Sequence, residues 1–235
     1  MAKPARPWTV LPHGPIEKLD DNLWTVAGDL PGVSVKEIRR MSIVRRSDGS
    51  LLFFHAIPLD ETTLAEVRTR GQPAVLVIPH DQHAVDARAF AEKLGLRVFG
   101  PMLNETKLRE RVSLAGTLDQ LEADPCVAFE SLEGTKTGEP VGIVRSGERV
   151  SLLFADAVQA IPKEMLPVVF RLFGMGGGPK VTPPFKFLFM TDKKALRAHL
   201  ERLAALPGLV RLIPCHGILT TSDAAETLKR VAAAM

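Results

Sequence analysis

The chain has 235 residues, 46% of them hydrophobic and 24% charged, which suits a soluble globular protein with a sizeable core. Its 30 basic and 27 acidic side chains leave a net charge of only +3. The basic residues are scattered (Arg39, Arg40, Arg45, Arg46, Arg68, Arg70, Arg109, Arg111), without the one-sided clustering of a nucleic-acid binder.

The first third reads as β-structure. Residues 22–27 and 40–45 alternate apolar and polar side chains with period two. The turn 47–50, with Gly49 suited to positive φ, joins the second of these to a strand at 51–54, so 40–54 is expected to be a hairpin stopped by Pro58. Asp60 is placed to cap a helix over 61–70 that buries Leu64 and Val67. Residues 74–78 are continuously apolar, as in a strand buried on both faces. The loop 80–83 leads to an amphipathic helix over 85–94 closed by Gly95, and 97–101 is the next strand and its stop. Residues 105–122 read as weakly helical. Strands at 126–129 and 140–144 bracket a loop rich in Gly and Thr, and Gly147-Glu148 turns into a strand at 150–154. The Pro- and Gly-rich segment 162–187 cannot be one regular element. It reads as a short helix followed by an apolar loop, a lid bearing Phe173, Phe185 and Phe187 and a candidate homodimer contact. A helix over 193–206 ends at Pro207-Gly208, a strand follows at 209–213, and Ser222 is placed to cap a C-terminal helix.

No run approaches the roughly 18 apolar residues that span a bilayer, and residues 1–8 lack the apolar core of a signal peptide, so no membrane partner is expected. The two cysteines, Cys126 and Cys215, read as buried thiols in a reducing cytoplasm. Strands first, then strands alternating with helices, predict a layered α/β protein occupying 1–235 as a single domain.

The six histidines are distributed unevenly. His55, His80 and His216 each follow an apolar run, and Asp156 does the same. A rigid sheet delivers side chains to an accessible rim at such strand ends, which is what a metal or acid/base site requires. His13 and His199 read as surface residues. Gly174 to Lys180 lacks the ending of a phosphate loop, and Cys215 reads as a small buried residue more than a nucleophile.

With these residues in view, the chain resembles the metallo-β-lactamase-fold superfamily, in a divergent branch with a degenerate metal site. Residues 21–26 resemble the family's first strand, and 152–157 resemble the strand ending in Gly-Asp. The helix 193–206 followed by Ile213-Pro214-Cys215-His216-Gly217 is similar to the family's helix, strand and closing His-Gly. The resemblance implies a four-layer αββα sandwich of two mixed sheets. The family's His-x-His-x-Asp-His place reads His80-Asp81-Gln82-His83-Ala84-Val85-Asp86 here, and its Gly-His-Thr-Pro-Gly reads Gly134-Thr135-Lys136-Thr137-Gly138. Its Asp at the end of the early hairpin aligns with His55.

What the resemblance implies is a metal set of His80, His83, Asp156 and His216, holding one Zn²⁺ with an open position for water; Fe and Mn suit the same donors. Asp81 or Asp86 would orient ligands or accept a proton, with His55 nearby. The implied activity is hydrolysis of a small-molecule ester, thioester, lactone or phosphoester. The alternative is a non-catalytic member that has lost its metal and binds a small molecule or partner, with Lys136 or Thr135 compensating Asp156.

Overall fold

Parallel pairing of apolar strands through helical crossovers organises the polypeptide, as the unbroken apolar runs require. The computed structural model describes residues 6–32, 35, 36 and 38–235. Residues 1–5, on which part of the signal-peptide reading rests, lie outside the described residues. The chain divides into two compact units, Met1–Ala128 and Phe129–Met235.

The first unit carries a seven-stranded sheet whose strands lie in chain order. β1 (Glu17–Asp20), β2 (Leu23–Gly28), β3 (Arg39–Arg45) and β4 (Ser50–Phe54) are antiparallel neighbours. β5 (Gln72–Val77), β6 (Arg97–Gly100) and β7 (Gly116–Thr117) continue in parallel. The sheet is therefore mixed. The switch to parallel pairing follows from α1 (Glu61–Arg70) and α2 (Ala87–Leu94), which connect β4 to β5 and β5 to β6. Asp60 caps α1 as expected, its carboxylate accepting from Thr63 N at 2.7 Å. Leu64 and Val67 of α1 and Phe90 of α2 are fully buried with Phe53 and Leu76 of the sheet. Each such side chain contributes about 1.5–3 kcal/mol of burial.

The weak helical pattern over 105–122 is only partly realised. α3 (Glu105–Arg109) is short and gives way to β7 and a single 3₁₀ turn. β1 and β7 were not expected, because four- and two-residue strands are too short to show a period.

The second unit contains a four-stranded mixed sheet in the order β11-β10-β9-β8. Its strands are β8 (Val127–Ser131), β9 (Pro140–Ser146), β10 (Arg149–Phe154) and β11 (Leu209–Pro214). β9 and β10 are antiparallel, whereas β10 and β11 are parallel, with Phe154 beside Pro214. The segment 162–187 forms two short helices, α4 (Val168–Leu172) and α5 (Pro183–Leu188), where one helix and a loop were expected. Phe173 and Phe187 are exposed, but Phe185 lies in the core and is no part of a lid. α6 (Lys193–Ala204) buries Leu196, Leu200 and Leu203 as its spacing predicts. The cap of α7 (Ala224–Ala233) is Asp223 in a left-handed conformation, so Ser222 is not the cap.

Two histidine readings are corrected. His199 is 4% exposed, with Nδ1 accepting from Glu133 N and Nε2 meeting Glu130. The His13 side chain is also buried, and its Nε2 accepts from Asp60 N at 3.2 Å. Both sit on helical or irregular segments whose apolar neighbours are distant in sequence, so local polarity misled. Cys215 is buried as expected, but Cys126 is only half-buried. Among the described residues, no helix is long and apolar enough to cross a membrane.

Candidate functional site

β5 ends at Val77, and Ile78 and Pro79 bring the chain to His80, which opens a single 3₁₀ turn, Asp81–His83. Residues i and i+3 eclipse in 3₁₀ geometry, so His80 and His83 are brought side by side. Their ring centroids are 4.5 Å apart with an interplanar angle of 69°. The turn is closed by His83 N donating to His80 O at 3.0 Å. Both rings are buried, at 1% and 6% exposure.

The third imidazole comes from the neighbouring strand. His55 follows directly on β4 and adopts φ +68°, a left-handed conformation that costs a non-glycine residue on the order of 1–3 kcal/mol. Its backbone N–H donates to Val77 O at 3.1 Å, and its Nδ1 lies 2.8 Å from His83 Nδ1. That contact requires one nitrogen to donate and the other to accept. The two rings therefore have linked tautomers and are not both imidazolium in this arrangement.

The two acidic candidates of this unit are both held by neighbours. Asp81 is clasped by Asn104: its backbone N–H donates to Asn104 Oδ1 at 2.7 Å, and Asn104 Nδ2 donates to its carboxylate at 2.9 Å. Asp86 is 1% exposed and meets Arg39 at 2.6 Å, with Arg6 at 3.5 Å. Arg39 is equally buried and also donates to Asp29 O and Ala56 O. Burial holds its guanidinium below the ordinary value, and the Asp86 carboxylate opposes that shift. The arrangement suits Asp86 to a scaffold or orienting role more than to proton transfer. Sequence reading missed Arg39 and Asn104, since neither burial nor pairing across such separations leaves a local pattern.

In the second unit, strand register does the positioning. Because Phe154 pairs with Pro214 in parallel, Asp156 and His216 each stand two residues beyond the same rung. Asp156 Oδ1 lies 3.4 Å from His216 Nε2 and accepts from Gln159 Nε2 at 3.0 Å. Ala160 N donates to His216 O at 3.0 Å, which straps the loop after Asp156 onto the closing motif. Gly217 permits this approach. It has φ +102°, and a Cβ there would stand 2.2 Å from Ala160 O. Beneath the rim, Glu139 is fully buried and accepts from Ala157 N at 2.9 Å. Gln159 and Glu139 were also not singled out from the sequence, although Gln159 stands only three residues after Asp156.

Neither Thr135 nor Lys136 compensates Asp156 in the way considered above. Thr135 Oγ1 donates to Leu132 O at 2.7 Å. Lys136 is exposed, and its backbone N–H donates to Phe189 O. The loop is pinned by backbone pairing to residues near α6, which directs it away from that task. Taken each by itself, the buried imidazoles of the first unit and the carboxylate–imidazole pair of the second offer nitrogen and oxygen donors of the kind that bind metal ions.

No family model and no curated protein matches this sequence. The fold is nevertheless shared with solved structures. A DIM-1 metallo-β-lactamase exposed to ceftazidime is similar over 96% of this chain and 99% of its own, with a TM-score of 0.66 at 14% identity. VMB-1 at pH 5.5 is similar over 93% of this chain and 96% of its own, with a TM-score of 0.62 at 10% identity. The chain thus has the metallo-β-lactamase fold, of the mixed α/β class that its residues predict.

Proposed function

We propose that this protein is a metal-dependent hydrolase of a small-molecule ester, thioester, lactone or phosphoester, and that His80, His83, Asp156 and His216 hold one metal ion, Zn²⁺ before Fe or Mn. The observation that carries the reading is the matched placement of Asp156 and His216 beyond one rung of β10 and β11. The buried His80–His83 turn and the shared fold support it. When bound, the ion supplies Lewis-acid polarisation of a carbonyl or phosphoryl oxygen and acidifies water. The chain's own residues orient the set. His55 holds the ring of His83 through the Nδ1 contact, Asn104 fixes Asp81, and Gln159 turns the Asp156 carboxylate. Asp81 is the acid/base candidate of this reading, because Asp86 is engaged by Arg39. We place the protein in the cytoplasm, in keeping with two cysteines that form no disulfide.

The test is metal content per chain after purification without chelator, with hydrolysis of model esters, thioesters and phosphodiesters alongside. About one equivalent, lost in Asp156→Ala and in His216→Ala, is the expected result. A metal-free protein that refuses added Zn²⁺ sinks the reading. It would favour the second one, a non-catalytic binding protein, for which one observation speaks: Asp156 already has His216 and Gln159 as partners.

A further inference from the structure

The second unit contains a cavity of about 530 Å³ between the glycine-rich loop after α4, the start of α5 and the last turn of α7. Lys180, Lys186 and Arg230 line it, and no carboxylate does. None of the ion pairs among the described residues involves these three cations. Lys180 Nζ reaches only Gly174 O at 3.3 Å, Lys186 Nζ only Ala234 O at 3.2 Å, and Arg230 donates to Thr227 Oγ1 at 2.8 Å. Burial and the nearby charges of Lys193 and Lys180 hold the Lys186 ammonium below its ordinary value.

Capping the carboxyl end of α7 explains Lys186 alone. Arg197 already donates to Ala232 O and Ala233 O at that end, so the helix terminus has no need of Lys180 or Arg230. Like charges gathered around one hollow repel each other, and an anion filling it reverses the sign of that energy. A guanidinium fork and two ammonium groups match a dianionic phosphate better than a single carboxylate.

We infer that this cavity is an anion site that takes the phosphate group of a small molecule or of a lipid headgroup through Lys180, Lys186 and Arg230. The inference does not rest on the hydrolase reading. The two are linked structurally all the same: Lys180 pairs backbone to backbone with Gln159, whose side chain holds Asp156. The backbone that lines the cavity thus adjoins a residue of the candidate site.

The experiment is calorimetric titration of the full chain with inorganic pyrophosphate at low ionic strength, with flotation on phosphatidylglycerol vesicles as a second arm. Lys180→Ala should weaken pyrophosphate roughly tenfold, and Lys180→Ala with Arg230→Ala roughly a hundredfold, at about one charge-assisted hydrogen bond each. Lys18→Ala, a first-unit lysine paired with Asp21, should change nothing. Lys186→Ala also removes a bond to the end of α7, so the Lys180 and Arg230 variants decide the outcome, with thermal melts confirming their folding. Vesicle binding without pyrophosphate binding, lost in the double variant, assigns the phosphate to a lipid surface. Absence of both in the wild-type chain, or equal affinity in the double variant, overturns the inference.

Discussion

Replacing Asp86 by Asn tests whether this carboxylate is scaffold or catalyst. The substitution keeps the shape and removes the charge that Arg39 meets at 2.6 Å inside the first unit. Arg39 is 1% exposed, so its guanidinium would then be buried against carbonyl oxygens alone. Breaking a buried pair from one side costs about 3–5 kcal/mol. Arg6, at 3.5 Å and partly exposed, offers little relief to the remaining amide. For a chain of this length, about 3 kcal/mol corresponds to a drop in Tm of roughly 6–12 °C. Urea denaturation followed by circular dichroism reads the loss. Removing both partners, as Arg39→Met with Asp86→Leu, should cost clearly less than the sum of the singles. Metal content per chain should be unchanged in Asp86→Asn at temperatures where it is folded. A stability within about 0.5 kcal/mol of wild type, or strictly additive singles, would refute the argument that the pair is structural.

Gly217→Ala should cost about 2 kcal/mol or more, through the left-handed φ and the collision with Ala160 O, and should break the strap over His216; a melt within a degree of wild type would contradict this. His199 has a pKa lowered from 6.5, by burial first and by Arg202 next. Above that value folded and unfolded chains are both neutral, and below it the unfolded chain takes up the proton first. Stability present above pH 6.5 is therefore lost as pH falls toward the lowered folded value, by up to about 1.4 kcal/mol per pH unit. His199→Gln should flatten that part of the Tm–pH curve, and an unchanged slope would assign it elsewhere. Chemical unfolding is expected to give a single transition with coincident signals from Trp8 or Trp24 fluorescence and far-UV dichroism, as one domain over 1–235 requires, whereas two separated transitions would divide it.

Much of the architecture is legible because its signals are local. The alternation in β2 and β3, the unbroken apolar run of β5 and the stop at Pro207-Gly208 each declare themselves within a few residues. His55, His80, Asp156 and His216 share one signature, a polar group directly after an apolar run, and each does stand just past a strand end. What escapes is set by distant partners. The Arg39–Asp86 pair joins residues 47 apart in sequence, and neither neighbourhood hints at the other. The burial of His199 depends on β8 contributing Glu130 to a helix surface that looks polar when read alone. The left-handed turn at His55 is likewise invisible, since histidine there reads as an ordinary strand end. The small cationic hollow is composed of three separate segments, each ordinary by itself.

The rung shared by Phe154 and Pro214 makes the Asp156–His216 contact a gauge of sheet alignment. Sliding one strand past the other by a single residue would carry the imidazole about 3.3 Å along the strand axis and turn it to the opposite face. β11 already absorbs one extra residue where the register shifts between Val150 and Ser151, whereas an insertion or deletion between that shift and the rim reaches the pair undiluted. Changes of length belong in the loops before these strands, where the chain can absorb them without moving the pair.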